Sequence, residues 1–200
     1  MEVGIAEERI RLKRDPSPVS IAPGTRPLHR PAGADQRLLL YSGNWGVAHD
    51  YATFLAAYKA HHTQGSGRIV LWLNASGTAV KAIEEELVNA NLPFVRGAPV
   101  PLEELPNLLI TPDAHLITLS DAFVGYVLPS KLYGCIESGR PVLFIGSARS
   151  DVHRMCKKHL PGAYTRVDVG DADGCQRALE HLARAISYPT DAASSDSLGR

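Results

Sequence analysis

The chain has 200 residues, 44% of them hydrophobic and 21% charged, the length and composition of one soluble globular domain able to bury a core. Lys plus Arg number 21 and Asp plus Glu number 21, so no chain-wide field draws it to nucleic acid or a charged membrane, and any anion site has to be local. The three cysteines, Cys135, Cys156 and Cys175, have neither Cys-x-x-Cys nor Cys/His ligand spacing; they predict reduced, packed thiols and no metal site.

In chain order, residues 1–36 form a linker-like lead-in rich in Pro, Arg and Gly (Pro16, Pro18, Pro23, Pro27, Pro31), with little apolar periodicity. The first fifteen residues lack the apolar core of a secretion signal. No stretch approaches the roughly 18 apolar residues of a membrane span, so a cytoplasmic location is expected.

From residue 37 to 188, short apolar runs alternate with helical patterns. Strands are predicted at 37–42, 68–74, 93–96, 114–119, 141–146 and 163–167, and such continuous runs suit strands covered on both faces. Between them lie helical stripes: Tyr51, Phe54, Leu55 and Tyr58; Val80, Ile83 and Leu87; and Cys175, Ala178, Leu179, Leu182 and Ile186, the last helix capped by Asp171. The expectation is a single doubly wound α/β Rossmann-like domain with a mainly parallel six-stranded sheet. Residues 189–200, mostly Ser, Asp and Ala, have almost nothing to bury and predict a disordered tail.

Ligands of such sheets bind at the carboxyl ends of the strands, where the winding reverses. Two segments belong there. Tyr41-Ser-Gly-Asn-Trp-Gly46 leaves the first strand for a helix expected to begin near His49. Gly43 and Gly46 let backbone approach a ligand, and a helix start favours an anion; an ordinary tight turn explains the glycines equally well. Asn44 offers an amide to phosphate or sugar, and His49 beside Asp50 is a possible oriented imidazole, although capping accounts for both.

The second segment is Leu128-Pro-Ser-Lys-Leu-Tyr-Gly134, with Ser130 as N-cap of the next helix. Lys131 then falls in the first turn, where the helix dipole disfavours a cation unless an anion lies between them; the alternative is an exposed Lys tolerating a cost of up to about 1 kcal/mol. Glu137 is either a surface carboxylate or an acceptor for ribose hydroxyls. His61 and His62 at a helix end, and His115 within a buried strand, read as structural.

Together, residues 41–50, Pro129-Ser-Lys-Leu-Tyr-Gly134 and Ser138-Gly-Arg-Pro-Val142 resemble the C-terminal, donor-binding half of GT-B glycosyltransferases of the retaining family-4 type. The resemblance runs in order over roughly residues 5 to 187. It implies that the loop of Gly43, Asn44, Trp45 and Gly46, with Ser130 and Lys131, holds the diphosphate of a nucleotide-sugar donor, UDP-linked and metal-free, with Lys131 stabilising the leaving group. It further implies that Val95, Arg96 and Gly97 border the nucleotide, a role that a simple strand end would explain as well.

Many relatives carry a Glu-x7-Glu pair, whose positions here are Tyr126 and Gly134. Both carboxylates are absent, and Glu137, three residues on, is the candidate substitute. By the same resemblance an acceptor-binding domain precedes this one, and residues 1–36 match the connection to it. Sugar transfer to an acceptor hydroxyl, as in polysaccharide biosynthesis, then requires a partner supplying the other wall of the cleft. Two other readings stay open: a truncated, non-catalytic nucleotide-binding or interaction module that self-associates through exposed apolar surface, and a fragment of a nucleotide-sugar epimerase.

Overall fold

A computed structural model describes residues 19–185 of the chain. All six predicted strands form. The order is β1 (Arg37–Asn44), α1 (Ala52–Gln64), β2 (Ile69–Ser76), α2 (Val80–Asn89), β3 (Phe94–Arg96), α3 (Leu105–Ile110), β4 (Ala114–Thr118), α4 (Lys131–Glu137), β5 (Val142–Ile145), α5 (Asp151–His159), β6 (Tyr164–Val167) and α6 (Ala172–Ala185). Every neighbouring pair is parallel, in the order β3-β2-β1-β4-β5-β6. The winding reverses between β1 and β4, which makes the domain a doubly wound α/β sheet.

The continuous apolar runs arise because both faces of the sheet are covered. Along β1, Leu38, Leu39, Leu40 and Tyr41 are all fully buried, and successive side chains alternate between faces. Leu39 and Tyr41 join Phe54, Tyr58, Ile83, Leu87, Leu179 and Leu182 from α1, α2 and α6. Leu38 and Leu40 meet Leu108 of α3, with Leu28 and Ala32 from the lead-in. Farther along that second face, Ile117, Val142 and Phe144 pack on Leu132 and Cys135 of α4 and Val152 and Met155 of α5. The three thiols are free and buried, and burial pushes each up to about 12. Asp171 caps α6, accepting the Gly174 amide at 2.8 Å.

Residues 19–36 contain no helix or strand, yet they are fastened to the domain. The Leu28 amide donates to Thr111 Oγ1 (2.8 Å), Asn107 Nδ2 donates to the Arg26 carbonyl (2.7 Å), and Arg30 reaches Asp113 (2.6 Å). Here the lead-in is a strap across α3 and the start of β1. The tail predicted for 189–200 lies outside the described residues.

The histidines are built into the frame, but dipole stabilisation is not what holds them. The Ile69 amide donates to His61 Nε2 (3.0 Å), which leaves the proton on Nδ1 facing Glu180 (2.5 Å), and His62 Nε2 donates to the Ile69 carbonyl (3.0 Å). The end of α1 is thereby pinned to the start of β2. His115, buried on β4, donates from Nε2 to the Leu109 carbonyl (2.9 Å).

Burial pushes the His115 imidazole down to about 4 and lowers His61 and His62 as well. The folded state therefore holds these rings neutral, while the unfolded chain protonates them below about 6.5. Stability is full above that value and lost as pH falls through the folded pKa. Urea midpoints are expected to decline from pH 6.5 to pH 4, with about 3 kcal/mol of the loss due to His115. A His115→Gln variant should show a shallower decline; an equally steep one would show that His115 carries none of it.

Candidate functional site

A cleft of about 270 Å³ opens at the carboxyl ends of β1 and β2. Ser42 and Gly43 come from β1, and Asn74, Ala75 and Ser76 from β2. Leu105, Leu108 and Leu109 of α3 face it, as do Ser130, Lys131 and Gly134 at the start of α4; Pro99, Val100 and Val19 complete the lining. Among the described residues no carboxylate lines it, and its one basic side chain is that of Lys131. The lining suits a ligand with an apolar or aromatic body and one anionic end.

Lys131 is the first residue of α4, as its spacing predicted. The exposed-Lys alternative does not hold: its Nζ is enclosed, has no hydrogen-bond partner, and lies 3.0 Å from the centroid of the Tyr41 ring. Trp45 stacks on Tyr41 at 3.6 Å and 12°, so the amine must take the opposite face. Burial pushes the Lys131 pKa well below the usual lysine range. Cation–π attraction of up to about 2 kcal/mol offsets only part of a desolvation penalty of several kcal/mol.

Gly43 sits in the left-handed region (φ +102°), and a Cβ there would lie 3.9 Å from Lys131 Cε. The backbone thus passes directly beside the amine. Asn44 is exposed at the strand end, paired with Ser76, and its carbonyl accepts from the Tyr41 hydroxyl at 3.2 Å. Ser130 occupies the N-cap position but makes no side-chain cap; its backbone is already helical, and the residue lines the cleft.

Other residues named from the sequence are engaged elsewhere in the fold. Trp45 is fully buried and its amide is held by the Ser76 carbonyl (2.6 Å), so neither group faces an anion. The Gly46 carbonyl accepts the His49 amide (3.0 Å), and Gly46 lies outside the cleft. The helix begins at Ala52 rather than near His49, because β1 runs on to Asn44 and Asp50 Oδ2 takes the Thr53 amide at 3.2 Å. The His49 ring turns to donate from Nδ1 to the Thr118 carbonyl (2.6 Å), edge-on to Tyr41. Its pKa is lowered by burial and further by Lys131, which places it near the amine but outside the cleft lining.

Val95, Arg96 and Gly97 do not border the cleft. Val95 packs with Leu40 and Trp72. The Arg96 guanidinium caps β2, donating to the Leu73 and Ala75 carbonyls (2.8 Å each), and pairs with Glu84 at 2.5 Å. Gly97 lies so tightly under Trp72 and Asn74 that a Cβ would come within 2.8 Å of both. Glu137 is exposed and accepts the Ile21 amide at 3.0 Å, away from the cleft.

Sequence reading missed Asn74 and Ser76, although a polar residue ending the buried run of β2 was a visible signal. It also missed Val19 and the three leucines of α3, which carry no signal beyond being apolar. Among the described residues, no group of three His, Cys, Asp or Glu side chains is placed to hold a metal ion, and no helix is long and apolar enough to cross a membrane.

No family model and no curated protein matches the chain. Solved structures do. The catalytic domain of cholesterol-alpha-glucosyltransferase from Helicobacter pylori is 15% identical, with a TM-score of 0.56 over 73% of this chain and 85% of that one. The C-terminal domain of LpcC, a glycosyl transferase group 1 family protein from Francisella tularensis, is 12% identical, with a TM-score of 0.51 over 74% of each chain. The chain shares its doubly wound α/β fold with these domains.

The chain spans much less of longer glycosyltransferases. It covers 39% of WaaG, which acts in lipopolysaccharide biosynthesis (14% identity, TM-score 0.54 over 76% of this chain). It covers 31% of S. aureus TarM, solved with Fondaparinux, alpha-GlcNAc-glycerol and UDP (10% identity, TM-score 0.55 over 82% of this chain). In this chain the two positions expected to carry carboxylates differ in setting. Tyr126 is 87% exposed, whereas Gly134 lines the cleft.

Proposed function

We propose that the domain binds the diphosphate of a nucleoside-diphosphate sugar, and that it is the donor half of a retaining, family-4-like glycosyltransferase. The observation that carries this reading is the Lys131 amine, enclosed without a hydrogen-bond partner beside Gly43 and Ser130 in a carboxylate-free cleft. An unpaired buried amine is costly in a ligand-free fold and becomes favourable once an anion reaches it. The presence of UDP in the TarM structure supports the choice of nucleotide.

In this reading Lys131 and the Ser130 hydroxyl hold the diphosphate, and the ammonium offsets charge developing on the leaving group. Transfer to an acceptor hydroxyl in the cytoplasm calls for a second wall that positions the acceptor and excludes water. No metal enters this scheme. Calorimetric titration should give saturable UDP binding at micromolar to millimolar concentration and far weaker binding of uridine, which lacks the diphosphate. Absence of heat at millimolar UDP would sink the proposal.

A second reading, a nucleotide-binding module without catalysis, draws on the cleft lining, which among the described residues holds no carboxylate. It shares the binding result and differs in showing no turnover of UDP-sugars when an acceptor domain is supplied in trans.

A further inference from the structure

The cleft has a polar floor as well as an anion end. Successive side chains of a strand alternate between the faces of a sheet. Leu40 of β1 and Trp72 of β2 pack on the α3 side with Leu108, so Ser42 and Asn74, two residues farther along, face that same side, where α3 lines the cleft. The two are register partners on neighbouring strands, about 4.8 Å apart. Ser76 and Ser130 are exposed, whereas Ser42 and Asn74 are only 8% and 9% exposed.

Asn74 is fixed in one orientation. Its Nδ2 donates to the Ala98 carbonyl at 2.5 Å, and a carbonyl only accepts, so the amide cannot reverse without setting oxygen against oxygen. Gly97 leaves the room this needs, since a Cβ there would come within 2.8 Å of Nδ2. Oδ1 is thereby held as an acceptor alone, and among the described residues no group donates to it. The Ser42 hydroxyl has no partner among them either. Polar groups this buried are costly until a ligand pairs them.

The sheet order places the pair along the cleft. Pro99 and Val100 follow β3 and Lys131 follows β4, while Asn74 and Ser42 stand on β2 and β1 between them. A nucleoside diphosphate has the same sequence of parts, with the pentose between the base and the phosphates. We propose that Ser42 and Asn74 read the pentose of the nucleotide: Asn74 Oδ1 accepts from one hydroxyl of the ribose 2′,3′-diol, and the Ser42 hydroxyl pairs with the other. The inference rests on the nucleotide-binding reading of the cleft and deepens it, making the pair determinants of specificity. A carboxylate would offer such a diol two acceptor oxygens; with glycine at position 134, two side chains of the floor do so instead.

The test is calorimetry with UDP and with 2′,3′-dideoxy-UDP, which lacks the diol. Wild-type protein should prefer UDP by about 25-fold, the product of two hydrogen bonds at roughly fivefold each. Ser42→Ala and Asn74→Ala should each weaken UDP binding by about fivefold and leave dideoxy-UDP binding unchanged, and the double variant should show no preference.

Equal binding of the two nucleotides by the wild type would overturn the proposal while leaving the nucleotide reading intact. Variants that weaken both nucleotides alike would overturn it as well, since the side chains would then only shape the cleft. Binding of neither nucleotide by the wild type would remove the nucleotide reading itself, and the diol site with it. Ser42→Ala deletes a single oxygen, so it decides the question even where Asn74→Ala loosens the loop at Ala98.

Discussion

Replacing Lys131 with Met is expected to raise the thermal midpoint of the protein while weakening UDP binding by about 10- to 100-fold, the loss that follows from removing charge-assisted hydrogen bonds of 1.5–3 kcal/mol. The gain in stability comes from the ligand-free state. There the Lys131 amine is enclosed, has no hydrogen-bond partner, and finds only the Tyr41 ring. Met has a similar volume and no polar atom, so it fills the site without that penalty, and a gain of about 1–2 kcal/mol is expected. The two effects have opposite signs, as they should where a residue is kept for its ligand at the expense of the fold.

The same substitution should change a proton count. Burial holds the amine's pKa well below its ordinary value in the free protein, and a diphosphate beside it would push that pKa back up. UDP binding by the wild type should therefore take up protons, seen as a heat that varies with the ionisation enthalpy of the buffer. Lys131→Met should abolish the variation. A variant that is less stable than wild type and binds UDP equally well would remove Lys131 from the site.

The second large effect is expected at Asp113. Its side chain is 1% exposed, and Oδ2 accepts both the Leu38 amide and the Arg30 guanidinium, each at 2.6 Å. Asp113→Ala leaves a buried amide at the start of the central strand and a partly buried cation without this partner. Breaking a buried pair on one side costs about 3–5 kcal/mol, enough to lower the midpoint of a domain this size by roughly 10 °C. Asp171→Ala, which removes only the cap on the Gly174 amide, is the control and should cost about 1 kcal/mol. Equal losses in the two variants would mean that Asp113 does not join the strap to the sheet.

The strands were legible because burial on both faces leaves an unbroken apolar run, and β1, β2, β4 and β5 are runs of that kind. The helix α5 was not. Its contribution to the core is Val152, Met155 and Cys156 among basic residues, too few apolar positions to reveal a period. The short helix α3 was hidden for a different reason: Pro101, two acidic residues and Pro106 surround its start and read as loop.

Within the site, Lys131 was legible because a cation in the first turn of a helix contradicts the dipole. For Arg96 and Trp45 the sequence shows which groups the segment carries and not which way they turn. Arg96 is occupied by carbonyls at the end of β2, and Trp45 is drawn inward by the Tyr41 stack. Glu137 was placed correctly on α4, but its partner is an amide 116 residues away in the sequence, a pairing that no local pattern announces.

Gly134 occupies a helix interior, where glycine is destabilising by about 0.5–1 kcal/mol relative to alanine. A Cβ at that position would come within 2.7 Å of Leu109 Cδ1, so the leucine stands where a side chain would begin. Placing a carboxylate there consequently requires the Leu109 methyl to give way, and the cleft that Leu109 lines is the space into which it can turn. Any side chain at 134 is thus gained at the expense of cleft volume, so the absence of one there leaves room for a ligand's body.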